Sequence, residues 1–393
     1  MSPTNAPRHS SPTTDQTTPP STSMPREGRG PERSPPEPEG SPPASSPTPD
    51  VVALDVGGAN IKAADGLGWS HSEAFALWRH AAALPDALGR ILRLPRPRRT
   101  GARPRVVATM TGEIADCFAT RSDGVAHIVG SLVSAVRACD PEARPEIYLV
   151  DGRLASAEEA LRRPLSAAAS NWHAVARLAA AHAGAERSLL VDIGSTTTDI
   201  VPLRDGVPAP LATDDAGRMA SGELVYTGVE RTPVAAIVRS LPWRGSRRPV
   251  AAECFAESRD VWLLLGGLAE DPDARETADG GPSTRAAARV RLARMLLAEP
   301  GDVTTEEAVA AAEWCAEAQG RLVAGAIARV AGRIGWRPTS VVLSGHGDCL
   351  ARRACDRFGW TAARVSLPER LGRDISRVAP AHALALIARG VLP

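Results

Sequence analysis

Lysine is almost missing from this sequence, because Lys62 is the single lysine among 46 lysine and arginine residues. No apolar run is long enough to span a bilayer, and the N-terminus lacks the apolar segment of a secretory signal. The formal net charge of +1 argues against nucleic acid and acidic membrane surfaces as partners. The sequence therefore favours small molecules as partners.

The six cysteines are scattered, and they form neither a CxxC pair nor a group with zinc-ligand spacing. We expect reduced thiols, which are typical of the cytoplasm, and therefore predict a cytoplasmic location. A chain of 393 residues is long enough for two lobes that each have a core. Assembly into a homo-oligomer is left open by the sequence.

Residues 1–50 contain 14 prolines and many serines and threonines, but no Leu, Ile, Val, Phe, Trp or Tyr. Such a segment cannot bury enough apolar surface to offset the entropy that it loses on ordering. We predict that residues 1–50 form a disordered tail and that ordered structure begins at Val51.

Beyond the tail, short apolar runs alternate with segments of helical spacing, which predicts an α/β fold. A first lobe is expected over residues 51–184 and a second over residues 185–393, because the pattern restarts near residue 188. Strands are predicted at 51–56, 61–64, 69–79, 106–110, 147–150, 188–193, 198–203 and 341–343. Helices are predicted at 81–94, 123–138, 165–183, 232–239, 285–298, 305–332, 348–357 and 379–389.

A short motif occurs twice at the spacing of one lobe. Residues 54–60 read LDVGGAN and residues 191–197 read VDIGSTT, so Asp55 and Asp192 each end an apolar strand two residues before a glycine. Glycine lets backbone N–H groups approach phosphate oxygens. A second strand, and not a helix, follows each turn, which excludes a Walker A loop. The repeat predicts two phosphate-binding β-hairpins, with Gly57, Gly58, Asn60, Gly194, Ser195, Thr196 and Thr197 as binding residues.

A third segment, residues 341–348, reads VVLSGHGD and predicts a strand that runs into a turn and then a helix. Gly345 and Gly347 would let a flat base or ribose lie against the backbone, whereas His346 is expected to be a turn residue. In this order the three segments resemble the two phosphate motifs and the adenosine motif of the actin-like ATPase superfamily. The resemblance implies the two-lobed, ribonuclease H-like fold, with Ala-rich helices 165–183 and 379–389 meeting at the hinge.

Further segments resemble the hydantoinase/oxoprolinase-like proteins, and among them most closely the tetrahydromethanopterin-linked one-carbon transfer pathway proteins. These segments are residues 55–62 (DVGGANIK), 109–116 (TMTGEIAD), 171–172 (NW), 221–233 (SGELVYTGVERTP), 253–256 (ECFA) and 277–282 (TADGGP). Together they extend the resemblance over residues 51–391. The long string at 221–233 is the most specific of them.

This resemblance implies an ether-forming transfer in the synthesis of a methanofuran precursor. An aminomethylfuran-methyl diphosphate would react with the phenol of tyramine–glutamate, and pyrophosphate would leave. Two other functions stay open: an ATP-dependent amidohydrolase of the oxoprolinase type, and a non-catalytic sensor that closes on ATP. The residues alone predict only that a di- or triphosphate, which includes ATP, binds between two lobes.

The charged residues of the hairpins predict how such a phosphate is held. Because like charges repel, Asp55 and Asp192 cannot bind phosphate directly. We expect them to act through Mg²⁺ or its water shell, or to orient an attacking group. Lys62 follows the first turn, where a compact ammonium group would neutralise a phosphate. We therefore predict Lys62 and Asp192 as catalytic residues and both aspartates as metal ligands.

The remaining candidates would contact the second substrate. Glu113 is the leading candidate for the base that takes the phenol proton, with Glu223 as the second. Glu113 and Asp116 are expected on one helix face, where Asp116 would hold Mg²⁺ or an amine. Further predicted substrate contacts are Asn171, which we also expect to cap a helix, Tyr226, Arg231 and Asp279.

Overall fold

The structure, a computed structural model, describes residues 50–97, 103–184 and 186–392. The predicted disordered tail therefore lies outside the described residues, apart from Asp50. The first strand starts at Val51, where the sequence predicts it.

The first lobe is built on a six-stranded sheet. The strands are Val51–Val56 (β1), Asn60–Ala64 (β2), Ser70–Ala74 (β3), Arg105–Met110 (β4), Glu146–Tyr148 (β5) and Leu154–Ser156 (β6). They follow the order β3-β2-β1-β4-β5-β6, in which β1 and β2 form an antiparallel hairpin and β1, β4 and β5 run parallel. All six residues of β1 are buried, as expected for a central strand covered on both faces.

The second lobe repeats this arrangement. Its sheet contains Arg187–Ile193 (β7), Thr198–Arg204 (β8), Val207–Pro208 (β9), Leu224–Val225 (β10), Ser340–Gly345 (β13) and Ala363–Ser366 (β14), and a separate hairpin pairs Ser240–Trp243 (β11) with Ser246–Pro249 (β12). The order is β10-β8-β7-β13-β14, with β7 and β8 antiparallel and β7, β13 and β14 parallel. The series β8-β7-β13-β14 therefore matches β2-β1-β4-β5, which confirms the predicted two-lobed actin-like ATPase fold.

Helices cover both sheets. They are Leu77–His80 (α1), Leu84–Arg93 (α2), Arg121–Cys139 (α3), Ala157–Arg162 (α4), Pro164–Ala167 (α5), Asn171–Ala183 (α6), Asp215–Ser221 (α7), Val234–Ile237 (α8), Ser258–Leu264 (α9), Arg285–Met295 (α10), Thr305–Ile334 (α11), Asp348–Cys355 (α12), Leu367–Leu371 (α13), Arg373–Arg377 (α14) and Ala379–Ala388 (α15), with 3₁₀ turns at Ala81–Ala83, Gly112–Ile114 and Pro300–Asp302. None of those in the described ranges is long and apolar enough to cross a membrane.

Two Ala-rich helices lie between the sheets. α6 packs against β7, β8 and β13 of the second sheet, whereas α15 packs against β1, β2 and β4 of the first sheet and against α6. Their buried faces consist mainly of alanine and leucine. Small side chains let two helices approach closely. Helices α2 and α3 cover the outer face of the first sheet, and α11 and α12 cover that of the second.

Several predicted elements differ from the observed ones. The helix expected at 165–183 is interrupted between Ala167 and Asn171, where Ala169 has a left-handed φ of 48°. The strand expected at 69–79 ends at Ala74, and the helix expected at 232–239 covers only Val234–Ile237. Strands β6, β11, β12 and β14 and helix α9 were not predicted, because short polar strands and strand–helix ambiguity give weak periodicity.

A glycine of α3 determines how close the turn at Glu113 can lie to that helix. A Cβ atom on Gly124 would be 2.2 Å from the backbone O of Glu113 and 2.6 Å from its Cα. Gly130, two turns further along α3, has open space around the same position. Only the first glycine is therefore required by packing.

We predict that Gly124→Ala destabilises the protein and that Gly130→Ala does not. Overlap with a buried backbone forces the turn to move, at a cost of about 1–3 kcal/mol. At Gly130, where the surrounding space is open, alanine is expected to raise the free energy of unfolding by about 0.4–1 kcal/mol. Urea unfolding of both variants measures the difference, and equal midpoints would contradict the packing role of Gly124.

Candidate functional site

A cavity of about 620 Å³ lies between the two phosphate-type hairpins. Its walls include the turns after β1 and after β7, so both predicted loops face the same space. Asp55 and Asp192, at the ends of these strands, line it as well. A volume of this size is typical of a pocket for a small molecule.

The two turns have the same backbone geometry. Gly57 donates its N–H to the carbonyl of Asn60 at 3.0 Å, and Gly194 donates its N–H to the carbonyl of Thr197 at 2.9 Å. A Cβ atom on Gly228 would lie 2.5 Å from the carbonyl of Ser195, and hence that glycine lets a neighbouring loop support the second turn directly. The duplicated motif is therefore a duplicated structure and not only a sequence likeness.

The residues opposite the two aspartates carry opposite charges. In the first hairpin Asp55 pairs across the strands with Lys62, and in the second Asp192 pairs with Asp199. The Lys62 Nζ lies 3.7 Å from Oδ2 of Asp55. The single lysine is thus on the hairpin, beside the buried carboxylate that needs a cation.

The paired carboxylates of the second hairpin are compensated unequally, because Asp199 has an arginine partner whereas Ser344, Lys62 and His346 only partly offset the burial of Asp192. The Arg218 guanidinium donates to Asp199 at 2.9 Å, and Arg218 is almost fully buried. Burial, together with the neighbouring Asp199 carboxylate, raises the pKa of Asp192 to about 6. The pKa of Asp192 therefore lies well above that of an ordinary aspartate but below physiological pH.

Asp55 has the features of a metal ligand. It is only 2% exposed, and its Oδ1 has no hydrogen-bond partner among the described residues although it lines the cavity. Burial raises the pKa of Asp55, and Lys62 partly offsets that rise. Within the described ranges no three Asp, Glu, His or Cys side chains group into a metal site. Two carboxylates nevertheless fit Mg²⁺, which usually combines one or two carboxylates with water and substrate phosphates.

Glu113 is the second buried carboxylate that faces the cavity without a partner. It is 1% exposed, and no hydrogen-bond donor in the described part of the chain meets either oxygen with good geometry. Burial raises its pKa, although its own backbone N–H, the Arg121 charge and the Ala169 N–H oppose that rise. Such a carboxylate is well suited to accept a proton.

An aromatic side chain forms the wall beyond Glu113. Trp172, in the first turn of α6, lines the cavity. The centroid of its ring lies 3.9 Å from the Cζ of Arg218. Its indole N–H is buried without a partner among the described residues. The strained backbone of Ala169 precedes this turn and also lines the cavity. An unsatisfied donor and a strained residue together often mark a binding site.

The third predicted motif contributes Gly345 and His346 to the cavity. His346 lies 3.2 Å from Glu230, which also accepts a hydrogen bond from Arg259 at 2.7 Å. Burial alone would raise the pKa of Glu230, but His346 and Arg259 outweigh burial and lower it to about 2. The prediction that His346 only makes a turn therefore omitted an ion-pair network behind the loop.

The structure brings all but three of the predicted site residues together. Those that line the cavity are Asp55, Gly57, Gly58, Asn60, Lys62, Glu113, Asp116, Asn171, Asp192, Gly194, Ser195, Thr196, Thr197, Tyr226, Arg231 and Gly345. Their proximity is a structural finding, whereas the individual role of each residue stays a prediction.

Three predicted site residues lie away from the cavity wall. Glu223 is fully buried and accepts hydrogen bonds from the Leu211 and Ala212 N–H groups and from the Ser221 hydroxyl, so it stabilises a loop instead of acting as a base. Asp279 pairs with the buried Arg291 and with Arg294, away from the cavity. Gly347 leaves room for Ile193, since a Cβ atom there would lie 2.3 Å from Cγ2 of that residue.

Two expectations about the residues predicted to contact the second substrate are also wrong. Glu113 and Asp116 do not share a helix face, because only Gly112–Ile114 form a 3₁₀ turn and Asp116 is exposed beyond it. Ser170, and not Asn171, occupies the N-cap position of α6. The Asn171 Oδ1 instead accepts from the N–H of Trp172 at 2.7 Å.

Sequence reasoning missed several side chains of the cavity wall. Trp78, Asp199, Asp215, Arg218 and Arg377 all line it. The Arg121 guanidinium of α3 and the Asp215 carboxylate of α7 form an ion pair between the lobes. All of them except Asp199, which lies on the second hairpin, stand outside the strand–turn motifs, so packing of the elements brings them to the site.

A sequence profile described as hydantoinase/oxoprolinase matches residues 105–388, which is well over half of the chain. The chain belongs to the hydantoinase/oxoprolinase family. The match begins at β4 and includes the second hairpin, Glu113 and α15 of this family member.

Two similar proteins have the same name, (4-{4-[2-(gamma-L-glutamylamino)ethyl]phenoxymethyl}furan-2-yl)methanamine synthase. The protein from Methanocaldococcus jannaschii is 29% identical over 338 residues, which cover 85% of this family member and 96% of that protein. The protein from Methanococcus vannielii is 27% identical over 206 residues, which cover 52% of this chain and 91% of that protein.

Solved structures with a similar fold have low identity to this family member. Nucleotide-free acetone carboxylase is 10% identical with a TM-score of 0.49, over 86% of this chain and 70% of that chain. An inorganic polyphosphate/ATP-glucomannokinase from Arthrobacter sp. strain KM is 14% identical with a TM-score of 0.37, over 86% of this chain and 98% of that chain.

We predict that Asp192→Asn stabilises the metal-free protein above pH 7. The native pKa of about 6 exceeds the ordinary value of 3.8, so ionisation of Asp192 lowers stability as the pH rises through this interval and the penalty persists above it. A shift of this size corresponds to an upper limit on the order of 3 kcal/mol.

Thermal unfolding with a chelator at pH 5 and pH 8 measures the effect. The Tm difference between Asp192→Asn and wild type should be larger at pH 8. Asp205→Asn is the matched control, because Asp205 is exposed at a turn where asparagine also fits. A variant that is no more stable than wild type at pH 8 would show that the paired carboxylates are not strained.

Proposed function

We propose that this protein is an ether-forming synthase of methanofuran-type cofactor biosynthesis, which serves tetrahydromethanopterin-linked one-carbon metabolism. The donor would be an aminomethylfuran-methyl diphosphate, the acceptor the phenol of tyramine–glutamate, and the products an ether and pyrophosphate. One observation carries the proposal: the unpartnered carboxylate of Glu113 faces the same cavity as two phosphate-type hairpins and Lys62. The family match and the names of both relatives support it.

The proposed reaction breaks one bond and forms another, and the two changes need different residues of the cavity. The C–O bond between the furanylmethyl carbon and the diphosphate breaks, and its electron pair leaves with the diphosphate. The phenol oxygen forms the new C–O bond to the same carbon and releases its proton. An electron-rich furan stabilises positive charge on that carbon, so the protein mainly has to stabilise the leaving group and accept the proton.

The hairpins and Lys62 would hold the leaving group. The backbones at Gly57–Asn60 and Gly194–Thr197 provide N–H donors, and the Lys62 ammonium group neutralises negative charge as the bond breaks. Asp55 and Asp192 would hold Mg²⁺, which when bound offsets the charge of a diphosphate. The unpartnered Oδ1 of Asp55 fits that assignment.

Glu113 would accept the phenol proton. A phenol has a pKa near 10, so at neutral pH it needs a base to become a strong nucleophile. Trp172, whose ring stacks with Arg218, lines the same wall and would contact the acceptor. Asp116 is exposed in the cavity, where it would bind an ammonium group of a substrate. Tyr226, 58% exposed there, and Asn171 are further contacts.

The family match also supports a second function, an ATP-dependent amidohydrolase. A non-catalytic ATP sensor is the third alternative, since Gly345 lies on the wall where the adenosine motif is expected. One set of incubations separates the three. Pyrophosphate released only when furan diphosphate and phenol are both present, with the ether detected by mass spectrometry, supports the synthase. Phosphate release from ATP supports the hydrolase, and ATP binding without turnover supports the sensor.

We predict that Glu113→Gln slows ether formation by about 10²–10⁴-fold at neutral pH, because the amide cannot accept the phenol proton. Asp116→Asn is the matched control and should change the KM for a substrate more than kcat. Initial rates of pyrophosphate release measure both variants. A Glu113→Gln protein with the wild-type rate would exclude Glu113 as the base.

We also predict a pH dependence that belongs to Glu113. Its pKa is raised, and the rate should fall as the pH decreases through that value, since the protonated acid cannot act as a base. Asp192 also has a raised pKa, of about 6, and would contribute its own change in rate. The two contributions to the pH–rate profile are distinguishable. Additional Mg²⁺ would shift a fall in rate that is due to Asp192 to lower pH, but it would leave a fall in rate that is due to Glu113 unchanged. In Glu113→Gln we expect the fall in rate that does not respond to Mg²⁺ to be absent from the pH–rate profile.

Lys62→Ala should lower kcat/KM for the diphosphate by about 10²–10³-fold, which matches the loss of one charge-stabilising donor. Lys62→Arg keeps the charge and serves as the control. We expect only partial recovery, because the broad guanidinium does not fit a space shaped for an ammonium group 3.7 Å from Asp55. Full activity of the alanine variant would show that the single lysine is incidental.

A further inference from the structure

One contact crosses the mouth of the cavity from lobe to lobe. The Cζ of Arg231 lies 5.3 Å from the ring centroid of Trp78, and both side chains line the cavity. Trp78 belongs to α1 in the first lobe, whereas Arg231 follows β10 in the second. A guanidinium over an aromatic face is an attractive cation–π arrangement.

Each partner is anchored to one of the phosphate-type turns. The residue before Trp78, Leu77, donates its N–H to the carbonyl of Gly58 at 2.9 Å. Arg231 donates its own backbone N–H to the carbonyl of Ser195 at 3.0 Å. The Arg231–Trp78 contact therefore joins the backbone neighbours of the two turns.

The Arg231 guanidinium has no anionic partner within ion-pair distance in the described part of the chain. Other arginines of the site are paired, Arg259 with Glu230 at 2.7 Å and Arg121 with Asp215. Arg377 on the cavity wall also lacks an ion pair among the described residues, but of these two only Arg231 stacks on an aromatic ring from the opposite lobe. Glu257 is close enough for the Arg231 charge to lower its pKa, although burial raises that pKa overall. An arginine that stacks on an aromatic face keeps its planar N–H groups available for an oxyanion.

We propose that Arg231, held over Trp78, is a specificity-determining residue that binds the terminal phosphate of the diphosphate substrate when the lobes are closed. The inference rests on the proposed function for the identity of that substrate. Phosphate is favoured over an acceptor carboxylate because both anchors lie on the phosphate-type turns. Glu113 and Trp172, which would receive the phenol, belong to the β4 and α6 side of the cavity.

The test is binding of inorganic pyrophosphate with Mg²⁺ to the full-length protein, measured by calorimetry without turnover. Arg231→Ala should weaken binding by roughly 10- to 100-fold, as expected for the loss of a charge-assisted hydrogen bond. Arg231→Lys should fall between it and wild type, and it provides a second variant if the alanine protein folds poorly. The KM for the phenol should not change.

The control is another arginine stacked on a tryptophan. Arg244 lies 4.5 Å from the Trp243 ring on the β11–β12 hairpin, and neither residue lines the cavity. Arg244→Ala should leave pyrophosphate binding at the wild-type level. A reduction equal to that of Arg231→Ala would mean that the effect is general and would overturn the proposal.

A double-mutant cycle tests the role of Trp78. Trp78→Ala should weaken pyrophosphate binding less than Arg231→Ala, and the double variant should bind no more weakly than Arg231→Ala alone. Additive losses would show that the tryptophan does not hold the arginine in place. Trp78→Phe, which retains an aromatic face, should recover most of the affinity.

The failure of this proposal differs from the failure of the proposed function. Wild-type pyrophosphate affinity in Arg231→Ala overturns the role of Arg231, and a raised phenol KM would then assign it to the acceptor carboxylate. A wild-type protein that does not bind pyrophosphate also overturns it. If pyrophosphate binding depends on Arg231 but no ether forms from furan diphosphate and phenol, the proposed function fails and the phosphate contact stands.

Discussion

Charge balance in the cavity is the constraint on which the site depends. Six carboxylates line its walls, against one lysine, three arginines and a histidine. The carboxylates are not equivalent, because Asp55 has a cation opposite it in the hairpin whereas Asp192 has Asp199. A diphosphate adds more negative charge to this space. We therefore expect such a ligand to bind together with a divalent cation, which agrees with the proposed assignment of Mg²⁺ to Asp55 and Asp192.

Close backbone contacts support the loops of the site. Gly124 brings α3 against the backbone of Glu113, and Gly228 brings the loop after β10 against the second turn. Gly345 lets its turn lie against the backbone of Ile193, since a Cβ atom on Gly345 would lie 2.2 Å from the Ile193 carbonyl oxygen. Close backbone contacts leave little freedom for the loops, which suits a site that works by positioning and electrostatics.

Local features were predictable from the sequence, and features that depend on lobe packing were not. The turns after Asp55 and Asp192 could be located because each motif is complete within seven residues. Lys62 could be singled out because it is the single lysine of the sequence. The Arg231–Trp78 contact joins residues of different lobes, so no spacing reveals it. Glu223 was misassigned because one distinctive string contains both structural and cavity-lining residues, and only burial distinguishes them.

Helix α15 affects the order in which the protein can be completed during synthesis. This helix covers β1, β2 and β4, yet it is the last helix of the described chain, and its Ala388 carbonyl accepts a hydrogen bond from Arg105 at 2.7 Å. One face of the first sheet therefore stays uncovered while the whole second lobe leaves the ribosome. The first lobe therefore completes its packing only after α15 has been synthesised, which ties its folding to that of the second lobe.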